Sequence, residues 1–312
     1  MDYSLKWKIG EKALKSKRRL TLYIALASLV IFLTWGMVEP YTIDVEKEEA
    51  TIPNLPKSWE GKKIIALADF QVGMWLDNAR IMEDIVDRVI ERKPDVVVLL
   101  GDYVYHSVND HQSEMDKVQS YLKPLTDEDI PVYAVLGNHD YNMSARKVKP
   151  NMDTAERVQE KLREIDIEIL HNRSVSLETE NSEEALSITG IGARWPEKDN
   201  ISLAFEDLGD EEARFVIMHN PETFDDIPQG DAPTAVAGHT HGGQIRIPFT
   251  PHWSWKNLIT KGEAHVDGWI KEGYGKEENN LYVNRGVGVS IIPIRFNNPP
   301  EITEFHLSGK EE

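Results

Sequence analysis

The residues best suited to chemistry are oxygen and imidazole donors in five separate segments. These are Asp69-Phe70-Gln71, Gly101-Asp102, Gly137-Asn138-His139-Asp140, His219 and Gly238-His239-Thr240-His241. Carboxylate, carboxamide and imidazole together suit a hard-to-borderline divalent cation. In His239-Thr240-His241 an extended chain points both rings to one face, and Gly242 and Gly243 let the backbone bend so that each ring reaches its own cation. Asp102 is short and follows Gly101, a geometry for bridging two cations. Two cations about 3.5–4 Å apart clamp the attacking and leaving oxygens of an in-line displacement. Each segment alone is ordinary: Gly-Asp is common in turns, and a lone histidine at a strand end is more often a satisfied core residue. All five in this order carry the argument. The chain has no cysteine, which excludes disulfides, thiolate ligands and cysteine nucleophiles.

Most of these segments close a short apolar run of the buried-strand type. The runs are Ile64–Ala68, Val96–Leu100, Val132–Leu136, Phe215–Met218 and Thr234–Ala237, with a further run at Leu186–Ile191. Helical spacing of apolar residues predicts helices over Asn78–Arg92, Gln112–Leu122 and Thr154–Ile165; Ile81, Ile85, Val89 and Ile90 make one such stripe and read as a core face. Strands alternating with helices predict a layered α/β domain, and ligands gather at the carboxyl ends of such strands. Closer spacing of Ile169–Leu177, Ala185–Ile191, Leu281–Asn284 and Ile302–His306 predicts a second, more antiparallel sheet.

With these motifs in place, the chain resembles the calcineurin-like metallophosphoesterase superfamily over about residues 60–308. The ending Tyr282-Val283-Asn284-Arg285-Gly286-Val287-Gly288, then Pro293, Arg295-Phe296 and Asn298-Pro299-Pro300-Glu301-Ile302, is similar to a bacterial membrane-associated branch. That branch includes UDP-2,3-diacylglucosamine pyrophosphatase-like enzymes and envelope phosphodiesterases. The resemblance implies a four-layer αββα sandwich of two mixed sheets and two divalent metal ions, whether manganese, magnesium, zinc or iron. It implies Asp69, Asp102 and His241 on the first ion, and Asp102, Asn138, His219 and His239 on the second. His139 would not bind metal but would meet the phosphoryl oxygen or the leaving group as hydrogen-bond donor and general acid, with Asp140 orienting its ring. Gln71 stands where the family usually has histidine, and its amide oxygen predicts a softer first metal site.

The expected activity is hydrolysis of a phosphodiester or pyrophosphate bond by metal-activated water. The alternative is a non-catalytic, membrane-anchored binding protein that retains the fold. Arg194, Arg246 and Arg285 either hold further phosphate oxygens or make structural ion pairs, and the sequence leaves both open. Trp253, Trp255, Trp269 and Tyr274 either form an apolar flap for a lipid-linked substrate or pack an ordinary long loop.

Leu20–Val38 is an uncharged stretch of about 28 Å as a helix, close to the roughly 30 Å hydrocarbon core of a bilayer. Seven basic side chains against Asp2 and Glu11 precede it, which predicts a cytoplasmic N-terminus and a catalytic domain outside, extracellular or periplasmic. Glu39, Pro40 and Tyr41 follow without a small-residue cleavage site, so an anchor is expected in preference to a cleaved signal. Arg18-Arg19 fits a twin-arginine signal poorly. The expected organisation is a basic segment 1–19, an anchor 20–38, a lead-in 39–60 and a catalytic domain 61–308. The net charge of -18 opposes nucleic acid as a partner.

Overall fold

Short β-branched runs set the layers of this computed structural model, which describes residues 3–105, 112–179, 182–209, 211–248, 254, 265–270 and 273–310. In chain order the helices are α1 (Tyr3–Val38), α2 (Met82–Glu91), α3 (Gln112–Asp127), α4 (Met152–Arg163) and α5 (Ile201–Ala204). The strands are β1 (Asp44–Ile52), β2 (Lys63–Leu67), β3 (Val96–Leu99), β4 (Val132–Ala134), β5 (Glu168–Ile169), β6 (Arg173–Thr179), β7 (Ser182–Gly190), β8 (Arg214–Ile217), β9 (Ala235–Ala237), β10 (Gly268–Trp269), β11 (Leu281–Val283) and β12 (Glu301–Gly309).

Two mixed sheets result, with strand orders β1-β12-β2-β3-β4-β5 and β10-β11-β9-β8-β7-β6. Because successive side chains alternate faces, each central strand feeds two cores. Ile64, Ala66, Val96 and Val98 face Ile188, Phe215, Ile217 and Val236 between the sheets. Ile65, Leu67, Val97 and Leu99 face outward onto Ile85 and Val89 of α2, Val118 of α3 and Val158 of α4. On the other side Val216, Ala235 and Val283 pack under Phe224 and Ala204. Helices, sheet, sheet and a thinner helical cover are the four layers of an αββα sandwich.

The second sheet departs from the antiparallel expectation. Its centre, β7, β8, β9 and β11, is parallel, and only the flanking β6 and β10 run antiparallel. The run at Ile302–His306 belongs to the first sheet instead, where β12 lies between β1 and β2. Ile169 also joins the first sheet, through β4. Residues 44–52, expected within a lead-in, are an edge strand in nine-residue parallel register with β12, from Asp44 against Glu301 to Ile52 against Gly309.

Helix α1 is longer than its apolar stretch, and the most apolar 18 residues within Lys15–Tyr41 have a mean hydropathy of 2.0 and are almost wholly exposed. It is the one helix among the described residues long and apolar enough to cross a membrane. Its last turns rest on the domain. The Arg295 amide donates to the Gly36 carbonyl at 2.9 Å, and Phe32 packs against Phe296 at 4.5 Å between ring centroids.

Candidate metal centre

Five strand ends deliver the site, three from the first sheet and two from the second. Asp69 and Gln71 follow β2, Asp102 follows β3, Asn138 and His139 follow β4, His219 follows β8, and His239 and His241 follow β9. All eight residues are buried, and His139 and His239 are each 8% exposed. Asp69, Gln71, Asp102, His239 and His241 take the left-handed backbone, with φ between 51° and 71°. For residues with a β-carbon this conformation costs of order 1–3 kcal/mol each, and such strain collects at functional sites. Two glycines let the loops close. A β-carbon on Gly137 would overlap Asp102 Oδ1, and one on Gly286, itself at φ 69°, would sit 2.6 Å from the Asp69 β-carbon.

The donor atoms form two groups, Asp102 with His219 and His239, and Asp69 with Asp102 and His241, each within 4.8 Å. Asp102 is common to both. His219 Nδ1 donates to the Leu100 carbonyl at 2.8 Å, which fixes the tautomer and leaves Nε2 turned inward. That Nε2 lies 3.3 Å from Asp102 Oδ2, 3.2 Å from Asn138 Oδ1 and 3.2 Å from His239 Nδ1. So many lone pairs facing one point require a positive charge among them. Burial alone would lower the His219 imidazole, but the Asp102 and Asp69 carboxylates push it up to about 9. Burial likewise raises Asp102, yet the surrounding imidazoles, His219 foremost, hold its carboxyl well below the usual range.

At the other group, His241 Nδ1 faces the Gly288 carbonyl at 3.4 Å, and Nε2 looks towards Asp69 Oδ2 at 4.0 Å and the Gln71 amide nitrogen at 3.4 Å. Gln71 Nε2 donates to Asp102 Oδ2 at 2.9 Å, while its Oε1 is buried without a hydrogen-bond partner. Rotating that amide by half a turn presents an oxygen to the same spot. Both donor sets therefore fit a divalent cation, and the shared carboxylate fits a pair.

His139 reaches the rim. Its amide donates to Asp102 Oδ1 at 2.8 Å, its Nε2 is 3.9 Å from Asp102 Oδ2, and its ring stacks on Tyr105 at 5.1 Å. Sequence reasoning missed Tyr105, although it lies three residues past Asp102. It also missed Trp195, which meets His239 edge-on at 4.8 Å.

Asp140 is placed differently from the expectation that it orients the His139 ring. Its carboxylate accepts from the backbone amides of Gly137 (2.8 Å), Asp102 (2.9 Å) and Tyr103 (2.9 Å) and so ties the β3 and β4 loops together. Burial and Asp102 push it up to about 7, against the pull of those amides.

The three arginines are already engaged with carboxylates of this chain. Arg194 pairs with Asp199 (3.1 Å) and Asp226 (2.6 Å), and Arg246 pairs with Asp267 (2.6 Å). Arg285 is surrounded by Asp44, Glu46, Asp267 and Glu301. Of the two readings left open by sequence, the structural one matches these contacts. Trp269 packs on Tyr282 and Phe305, and Tyr274 stacks on Phe224, which is ordinary loop packing. Trp253 and Trp255 lie outside the described residues.

Two carboxylate–imidazole groups sharing one aspartate, at the strand ends of an αββα sandwich, define a phosphoester hydrolase of the dinuclear-metal class. Residues 62–243 match the calcineurin-like phosphoesterase family, and the chain belongs to it. It is similar to the phosphodiesterase YaeI of Escherichia coli, with 30% identity over 78% of this chain and 82% of that protein. It is also similar to the UDP-2,3-diacylglucosamine pyrophosphatase LpxG of Chlamydia trachomatis, with 23% identity over 90% of this chain and 94% of that one. A Danio rerio transmembrane protein with a metallophosphoesterase domain is 26% identical over 96% of this chain and 65% of its own length.

Proposed function

We propose that the protein cleaves a phosphodiester or pyrophosphate bond in a lipid- or envelope-linked substrate, with α1 spanning the membrane and the catalytic domain outside. The carrying observation is the pair of donor groups joined by Asp102, in a domain whose strand-end loops also hold the end of an apolar helix. Asp69, Gln71, Asp102 and His241 hold one cation, and Asp102, Asn138, His219 and His239 hold the other. A bound pair of divalent cations supplies an activated water and neutralises charge on the phosphoryl oxygens.

The chain's own groups do the rest. The inward nitrogens of His219 and His241 are held by the Leu100 and Gly288 carbonyls behind them, so no reorganisation is needed when substrate arrives. His139, buried against Tyr105 yet reaching the rim, donates a proton to the leaving oxygen. The names of YaeI and LpxG support a phosphodiester or a lipid-linked pyrophosphate as substrate. The basic stretch before Leu20 supports a cytoplasmic N-terminus.

Metal analysis, followed by turnover on a nucleotide-linked lipid, a plain phosphodiester and a monoester, tests this. The expected result is two metal equivalents and preference for one of the first two. Preference for the monoester would overturn the substrate reading.

A further inference from the structure

Outside α1, few large apolar side chains are exposed among the described residues, and four of them meet at two neighbouring loop tips. Trp75 is 59% exposed, Leu76 61%, Ile291 74% and Ile292 38%. The tips are joined by the Trp75 indole, which donates to the Ile291 carbonyl at 3.2 Å. The 290–294 loop is held from beneath by Gln244, whose amide donates to the Ile292 and Ile294 carbonyls at 2.7 and 3.0 Å and accepts from Ser290 at 2.9 Å. Its exposure is therefore built in. Leu76 has φ 95° and Ile291 has φ 65°. A branched apolar residue held left-handed at a loop tip is a genuine outlier, since Gly or Asn fits there without strain.

The patch continues directly from the end of α1. Three residues past Ile291, Ile294 faces Gly36, where an added β-carbon would lie 3.4 Å from the Ile294 β-carbon, and the next residue, Arg295, donates its amide to the Gly36 carbonyl. Beyond the last turn of the helix, the Arg80 guanidinium sits 5.5 Å from the Tyr41 ring. An indole, aliphatic tips and a nearby cation are the composition of a surface seated at the interfacial layer of a bilayer. The patch also reaches the catalytic cleft. Tyr105, whose ring stacks on His139, hydrogen-bonds the Ile291 backbone.

We propose that the 74–76 and 290–292 tips are a second membrane contact, inserting Trp75, Leu76, Ile291 and Ile292 into the leaflet that α1 leaves and holding the cleft against its headgroups. This rests on the reading of α1 as a membrane span. It makes the substrate class an amphiphile whose phosphoryl group is reached while its chains stay in the lipid.

The absence of native cysteine allows clean single-site labelling. The full-length chain carrying Leu76→Cys, Ile291→Cys, Leu26→Cys or Leu203→Cys is labelled with an environment-sensitive fluorophore. Each is reconstituted in phosphatidylethanolamine–phosphatidylglycerol vesicles whose acyl chains carry bromine. Leu26 lies in α1, and Leu203 is an exposed control on α5, 48% exposed. The expected result is at least twofold quenching at positions 26, 76 and 291 and none at 203. Quenching at 26 with both tips behaving like 203, or with only one tip quenched, overturns the second contact and leaves the anchor standing. An unquenched probe at 26 overturns the anchor reading and this proposal with it.

Discussion

At the residue scale the division of labour is between groups that face the metal positions and the one that faces the leaving oxygen. His139→Ala removes the second kind alone. Turnover on bis-p-nitrophenyl phosphate should fall about 10²–10⁴-fold while metal content by elemental analysis stays near that of the parent. Gln71→His replaces the buried, unpartnered amide oxygen with an imidazole. Chelator titration should then show tighter binding at the first position, by about tenfold or more, with the second unchanged. Proton competition gives a third expectation. In the metal-free protein the His219 imidazole is raised from 6.5 to about 9, so its pairing with Asp102 stabilises fully below 6.5 and is lost as pH rises through about 9. A cation must displace that proton. Metal affinity by calorimetry should therefore climb between pH 6.5 and 8.5, by up to about tenfold per unit, with proton release. Residue types and order exposed the donors in the sequence. The tautomers did not show, because the Leu100 and Gly288 carbonyls that set them lie 119 and 47 residues from their histidines.

At the element scale, the strands that end in ligands were legible because β2, β3, β8 and β9 are short, β-branched and buried on both faces, a pattern few other structures tolerate. Their partition between sheets was not. The pairing of Asp44 with Glu301 is set by contacts across the whole chain, and no local signal marks it. The same holds for Arg285, whose Asp44 partner is 241 residues away. The loops between elements carry their own requirement, visible at Asp140. Asp140→Asn keeps the size but turns an amide group towards three amide donors, leaving one or two of them unpaired. The cost should be about 2–4 kcal/mol, read as a fall in melting temperature of roughly 5–10 °C, together with lower turnover. An aspartate that merely oriented the His139 ring would lower turnover and leave the melting temperature in place.

At the scale of the whole molecule, the apolar helix and the metal centre are joined by one short route. Glu39, just past α1, is 2% exposed, and its carboxylate accepts from the Asn297 amide at 2.9 Å, from the Asn298 amide and from the Trp35 indole. Asn298 in turn donates its side-chain amide to the His241 carbonyl at 2.7 Å. A helix on a loose tether would need no buried acid at its end, and the 39–43 connection would be free to swing. Here the Glu39 carboxylate is held by two amides of the loop that backs a candidate metal ligand and by the indole of α1. Glu39→Ala leaves three donors without an acceptor, of which the buried Asn298 amide should cost about 1–3 kcal/mol and the two part-buried ones less. Glu39→Gln keeps one acceptor oxygen and should fall between Ala and the parent. The domain's melting temperature should drop by several degrees for Ala and less for Gln. Metal affinity should weaken severalfold in the same order, since the His241 backbone loses its brace. If both variants melt and bind metal like the parent, α1 is a tether only, and the domain's orientation is set elsewhere.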